Sequence, residues 1–391
     1  MSSSAAAAGR CQTGTAPGPG RWQTATSESD FLRRAVAAAR LCGVTRLADI
    51  TGLDRLGLPV WQAVRPAGRA LSVHQGKGES PGAAKIGALC EAMESYCAEN
   101  APVDGLRCSF AALPPAERAP EFGDYCRSRD AVPAGSAPVQ WCRAADLLTG
   151  RTLWLPHPLV SLDYTRGLPS PFDRSSVGLG AGPTESDAAA TSLLEAIERD
   201  SIGAWQRLDP AAKVASSVEP ETIPFDWFQS WRERFSALDI GLEVFAAETI
   251  VGIAAFKCVI GGASEFGAAY RRFTGSAAHG DPEIALFKAL AEAIQSRLTL
   301  IAGVRDDILP SYYSRPAAAT PVGAIPRECR RAWRDAEPAR CDPAMLAGRL
   351  AAAGYPQVAI KRLDEGLDGV AVTKAFVPGL GSPTRTRRAA P

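Results

Sequence analysis

The chain has 391 residues, 46% hydrophobic and 22% charged, and its 43 Lys+Arg against 42 Asp+Glu leave a net charge of +1. These are globular proportions, enough for one large domain or two ordinary ones, and so small a net charge excludes a long-range field for nucleic acid or an anionic membrane. No apolar run approaches the roughly 18 residues of a membrane span. The 10 cysteines and 3 histidines show neither a C-x-x-C pair nor metal-ligand spacing, which argues against a disulfide scaffold and a zinc site.

Residues 1–27 open with MSSSAAAAGRCQTGTAPGPG, which has no basic start and no apolar core. They read as a disordered arm rather than a secretory signal. Helical periodicity predicts helices over 28–42, 82–99, 186–206, 226–236, 281–302 and 343–353. Strand character is expected at 58–64, 68–75, 140–146, 152–156, 241–248, 252–260 and 371–377. Alternating strands and helices imply an α/β (mixed α+β) architecture. Pro/Gly-rich stretches at 113–120, 131–138 and 167–173 read as surface loops within a single large domain, 28–380, followed by a flexible tail, 381–391. Nothing marks secretion, so the thiols are expected reduced and the protein cytoplasmic.

One helix is written three times: AKIGALCEAME from Ala84, AAATSLLEAIE from Ala188 and ALFKALAEAIQ from Ala285. The copies align without a gap and place Glu91, Glu195 and Glu292 in register. Glu94 and Glu198 follow three residues after the first two, on the same helix face; Gln295 takes that place in the third. The surrounding Ala and Leu point this face inward. If the copies converge, like charges about 5 Å apart repel by about 3 kcal/mol at an effective dielectric near 20. Such a cluster needs cations, and hard carboxylate oxygens suit Mg²⁺ with water and phosphate as its other ligands.

Each copy follows a glycine-bearing stretch: His74–Gly78, Gly178–Gly182 with Gly180 and Gly182, and Gly275–Gly280. These read as glycine loops running into helix starts, where backbone N–H groups suit phosphate. Asp281 and Pro282 look like a cap and first helical residue, and Thr184 and Asp187 have capping-box spacing. Neither nucleotide signature fits: Leu71 and Gly78 break a P-loop at Gly76-Lys77, and 178–182 lacks the Rossmann spacing. With Lys77, Arg199 and Arg297 nearby, the set reads as a Mg-ATP site built as repeated glycine-loop–helix units on β-sheets.

VTRLADITGLDRLGLPV, SVHQGKG, the two E-x-x-E segments, SSVGLGAGPT, AHGDPEIALFKALAEAIQSRL and VTKAFVPGL together resemble the YcaO family of ATP-dependent peptide-backbone-modifying enzymes, from about Gly43 to Leu380. ITGLDRLGLPV and IAGVRDD look most like the TfuA-associated, thioamide-forming branch. The resemblance implies ATP and Mg²⁺ as cofactors, with Glu91, Glu94, Glu195 and Glu198 as metal ligands. It assigns Arg199, Glu292, Gln295 and Arg297 to the nucleotide site, together with Lys77 in the GKG segment. Gly87, Pro183-Thr184 and Asp187 depart from the family's usual Ser, Asn-Thr and Glu, and Asp187 is kept as a site member. A TfuA-like protein and a precursor peptide or protein are the implied partners; a homodimer is left open. The reaction implied is backbone O-phosphorylation leading to a thioamide. Azoline formation by a cyclodehydratase and a nucleotide-binding accessory are the alternatives. His279 is a weak catalytic candidate beside a capping role. Cys90 and Cys97 read as packing residues.

Overall fold

The computed structural model describes residues 27–126, 136–166, 172–263, 271–313 and 321–381. Apart from Ser27 and Gly381, the expected arm and tail lie outside them, as do 131–135 and 167–171 of the expected loops. The 113–120 stretch is no mere surface loop, since Leu113 and Ala119 are fully buried.

The helices in chain order are α1 (Glu28–Leu41), α2 (Pro81–Glu99), α3 (His157–Val160), α4 (Glu185–Gln206), α5 (Pro210–Ala215), α6 (Asp226–Ala237), α7 (Pro282–Ala302), α8 (Pro310–Tyr313) and α9 (Pro343–Ala352). The strands are β1 (Arg46–Asp49), β2 (Val60–Val64), β3 (Val73–Lys77), β4 (Arg107–Cys108), β5 (Val139–Asp146), β6 (Thr152–Pro156), β7 (Leu179–Gly182), β8 (Ser217–Val218), β9 (Ile240–Ala247), β10 (Ala254–Gly262), β11 (Phe273–His279), β12 (Ala359–Arg362) and β13 (Ala371–Phe376). They form three sheets, ordered β1-β2-β3, β11-β10-β9-β8 and β4-β5-β12-β13-β7, with β6 beside β5. Among the described residues no helix is long and apolar enough to cross a membrane.

The three predicted helix copies are α2, α4 and α7. Each start is closed by its own cap: Ser80, Thr184 and Asp281 accept N–H bonds from Ala83, Asp187 and Glu283. Pro81 and Pro282 sit where a missing N–H costs nothing. The acids come about ten residues later, roughly 15 Å along each axis at 1.5 Å per residue. The helix starts therefore do not point phosphate-binding N–H groups at the acids, contrary to the expectation.

The stretches read as glycine loops are strands, β3, β7 and β11. Their glycines are there for close packing. A Cβ on Gly76 would lie 2.1 Å from Ala84 O and Ala88 N; on Gly180, 2.6 Å from Ala188 O and Ser192 N; on Gly275, 2.2 Å from Ala293 N. Each Ala-rich helix thus lies directly on the backbone of the strand before it, a distance only glycine allows. Gly182 makes the same approach to Asp187 and Ala188. These Gly and Ala positions carry no side chain long enough to show alternation, so β7 and β11 do not read as strands.

The units also touch in rotation. α2 packs on β3 and meets β7, α4 packs on β7 and meets β11, and α7 packs on β11 and meets β3. Three strand–helix units close a ring, and the inward helix faces carry the repeated acids to its middle.

Gly180→Ala and Gly275→Ala should each destabilise the protein by about 2 kcal/mol or more through overpacking. Gly52→Ala, with nothing within 4 Å of its Cβ, is the control. Urea melts read the difference, and equal melts for all three would refute the close-packing role.

Candidate functional site

Glu91, Glu94, Glu195, Glu198 and Glu292 lie within electrostatic reach of one another, drawn from three helices. The neighbouring unit's strand supplies a partner to one acid of each helix. The Ala181 backbone bonds Glu94, the Ser276 hydroxyl donates to Glu198 Oε1 at 2.6 Å, and Lys77 Nζ lies 3.5 Å from Glu292 Oε2. Within a unit, the Gln75 N–H donates to Glu91 Oε2 at 2.7 Å and the Gly178 backbone bonds Glu195.

These bonds do not offset burial. Burial raises the carboxyl of Glu91, with Glu292 adding to it, and holds Glu94 well above its ordinary value, with Glu195 and Glu91 adding. Burial pushes Glu195 and Glu198 up to about 7, and the nearby Glu292 charge reinforces this in both. Arg199 moderates the pair from 3.8 Å and 3.9 Å. Desolvation is the first cause of each of these shifts.

Hard oxygen donors in this state fit Mg²⁺ bound together with a polyphosphate. Among the described residues no three acids are gathered as a ready-made metal cage. Mg²⁺ is usually held through one or two carboxylates, with waters and phosphates completing its shell.

Lys77 is not free in a loop. It extends from β3 to α7, where Nζ donates to Gln295 Oε1 at 2.9 Å. Glu292 and Gln295 thereby anchor a cation at the acids' edge. Arg297 is not brought to them: it lies on another face of α7 and pairs with Asp54 at 2.7 Å, both side chains largely buried. Asp187 is spent at the start of α4, accepting the Thr184 hydroxyl at 2.6 Å and donating its own N–H back. Gly180 and Gly182 lie in β7 opposite Thr373 and Ala371. His279 Nδ1 accepts the Asp281 N–H at 3.0 Å, and burial lowers its ring to about 4, so it is neutral at pH 7 in a capping position. Cys97 is in the core with Cys90 packed against it, and burial raises both thiols.

Sequence reasoning missed Ser276, Lys374, Lys257, Lys288 and Arg305. Lys374 is buried in β13, its Nζ donating to Ser175 O at 2.6 Å while it faces Glu94 and Glu195. Lys257 feels Glu292, Lys288 feels Glu198, and Arg305 feels Glu91. A signal was available: Lys374 and Lys257 are lone charges in otherwise apolar strands, and Lys288 lies one turn before Glu292.

The acids impose a pH dependence. Between the ordinary value of 4.5 and about 7, the folded chain holds protons on Glu195 and Glu198 that the unfolded chain has lost. The stability they contribute is full below 4.5 and disappears as pH rises through 7. His74 and His279, lowered to about 3 and 4, act in the opposite sense, so variant and parent are compared at each pH. Ligand-free Glu195→Gln/Glu198→Gln protein should melt above the parent at pH 7.5 and no higher than it at pH 5. A pH-independent difference would count against the buried acids. Arg297→Ala should cost about 3 kcal/mol by stranding Asp54, while Mg-ATP still raises its melting temperature as in the parent; loss of that rise would return Arg297 to the nucleotide site.

The chain matches the family described as YcaO cyclodehydratase, ATP- and Mg²⁺-binding, over residues 75–381. An uncharacterized protein in the tfuA 3′ region of Rhizobium leguminosarum bv. trifolii is 32% identical over 378 residues, covering 90% of this chain and 89% of its own. An uncharacterized protein of Methanothermobacter thermautotrophicus is 30% identical over 301 residues, 75% of each chain. The structure of YcaO from Methanopyrus kandleri, bound with AMPPCP and Mg²⁺, aligns with TM-score 0.65 at 20% identity over 91% of both chains. A heterocyclase in complex with substrate and cofactor aligns with TM-score 0.69 at 21% identity, covering 93% of this chain and 53% of that one, so this chain spans about half its length. At these identities the solved structures establish a shared fold. The chain belongs to the YcaO family of ATP- and Mg²⁺-binding, peptide-modifying enzymes.

Proposed function

We propose that this protein activates a peptide backbone amide by ATP-dependent O-phosphorylation and, with a TfuA-type partner, converts it to a thioamide. The observation that carries the activation step is the ring of half-buried acids with raised proton affinity, which suits Mg²⁺ and a triphosphate. The thioamide outcome draws on the relative from the tfuA 3′ region, which matches nearly the whole chain.

A peptide amide is a poor electrophile and its oxygen a poor leaving group. Mg-ATP supplies a phosphoryl group that turns that oxygen into departing phosphate. Glu91, Glu94, Glu195 and Glu198 would hold Mg²⁺ ions, one or two carboxylates to each. Lys77, already fixed by Gln295, and Arg199 would neutralise phosphate charge. The buried acids and their strand donors keep this arrangement in place before ligand arrives. Hydrosulfide adding to the carbonyl carbon gives the thioamide; a neighbouring Cys, Ser or Thr side chain gives an azoline ring. The family description, a cyclodehydratase, favours that second reading.

Glu91→Gln and Glu198→Gln should abolish peptide-dependent phosphate release by about a hundredfold or more while leaving the fold intact. Co-expression with a TfuA-type protein and its neighbouring precursor then separates the chemistries by mass. A gain of sulfur minus oxygen supports thioamidation; loss of one water overturns it in favour of ring formation. Parental turnover in both variants would refute the metal assignment.

A further inference from the structure

The β9–β10–β11 sheet has one face covered by α7. On the other face Ser276, Lys257 and Phe245 lie side by side in register. Ser276 holds Glu198, and Lys257 extends over the Trp205 ring with Nζ 5.3 Å from its centroid. Trp205 follows Glu198 by two turns of α4 on the same helix face, roughly 10 Å away at 1.5 Å per residue. Lys213 of α5 reaches the same indole from 5.5 Å. Trp205 Nε1–H donates to Ser216 Oγ at 2.9 Å, and Phe245 packs against the ring at 5.1 Å, so the platform is fixed.

Two ammonium groups converge on one indole: Lys257, which also feels Glu292, and Lys213, which forms no ion pair among the described residues. Of the nearby acids, Asp209 caps α5, Glu219 pairs with Arg327 and Glu248 faces Arg331. Further positive charge adjoins, because Arg331 bridges Val218 just after α5 and lies within reach of Arg334. Beyond Lys213 an open groove of 510 Å³ runs between α5 and the Arg327–Cys329 turn, lined by Pro210, Ala211, Val214, Ala215 and Cys329. The apolar groove and Lys213 lie on different faces of α5, and Trp205 lies about two helical turns from Glu198.

We propose that this surface docks an acidic, partly apolar segment of the peptide substrate and leads the chain past Trp205 toward the acids. Carboxylates of the segment meet Lys213 and Lys257, and its apolar side chains fill the α5 groove. Charge complementarity selects the occupant: a basic or neutral peptide brings no carboxylate to Lys213. The inference rests on the reading that a peptide is the substrate, but binding can be measured without ATP and without product.

The test uses the full chain and a fluorescein-labelled synthetic peptide of alternating Glu and Leu blocks, with its Lys/Leu counterpart, read by anisotropy. The acidic peptide should bind and the basic one should not. Lys213→Glu should weaken acidic-peptide binding by about tenfold, equivalent to 1.4 kcal/mol, and Ala211→Trp, which fills the groove, should weaken it without changing charge. Thermal melts confirm that both variants fold. Parental affinity in both folded variants, or equal binding of the two peptides to the parent, overturns the proposal. Loss of tripolyphosphate binding with peptide binding intact would make this a nucleotide surface and overturn it as well. Docking that persists in a protein yielding neither thioamide nor azoline would leave the groove standing and refute the functional reading instead.

Discussion

The structure has to hold together acids that the fold draws out of water and beside one another. Glu91, Glu94, Glu195, Glu198 and Glu292 come from helices far apart in sequence, and burial with like charge raises the proton affinity of the first four. Such a cluster persists only if the scaffold is stiff and donors are supplied locally. Both conditions come from the same device. Each helix rests on its own strand and meets the next unit's strand, so closing the ring places a backbone N–H, a hydroxyl and an ammonium group against the acids. Removing one unit would leave its neighbour's acid without its donor, which is why the motif is repeated rather than used once.

Stiffness traces to glycine. Gly76, Gly180 and Gly275 let a helix backbone come within contact of a strand backbone, and the facing alanines complete the fit. At that separation there is no side chain to rotate, so helix and strand move as one body. This economy hid the strands. The six long helices were legible because apolar residues recur at helical spacing, Ala, Leu and Ile in most and Trp and Phe in α6, and capping residues precede all but α6. The apolar β2, β5, β6, β9, β10 and β13 were legible too. β7 and β11 were not, because glycine in a strand imitates glycine in a loop. β1, β4, β8 and β12 are too short to show a period.

The candidate site was legible where residues share a helix face and obscure where the fold supplies partners from elsewhere. Register alone identified the acids, and geometry brings them together. Arg297 has the right charge but the wrong angle: five residues past Glu292 on an α-helix turns it well away, toward Asp54. Asp187 has the right chemistry, but its capping role holds it about two turns short of Glu195. Ser276 and Lys374 could not be placed without knowing which strands lie beside α4 and α2.

On the proposed function, the same acid ring could serve more than one reaction. Neutralising acids with Mg²⁺ and phosphate is independent of what attacks the carbonyl carbon, so nothing in the ring has to change between hydrosulfide and a side-chain nucleophile. Discrimination must then reside in what reaches the carbon and how the peptide is held. A side-chain nucleophile arrives covalently tethered and needs only a permissive cavity; a free nucleophile must be admitted while water is kept out. The approach over β9–β11, with Lys257 between the Trp205 ring and the acids, lies where those demands diverge. On the proposed function the acid ring would carry the shared step, and the surface leading to it is where the difference between products could be built.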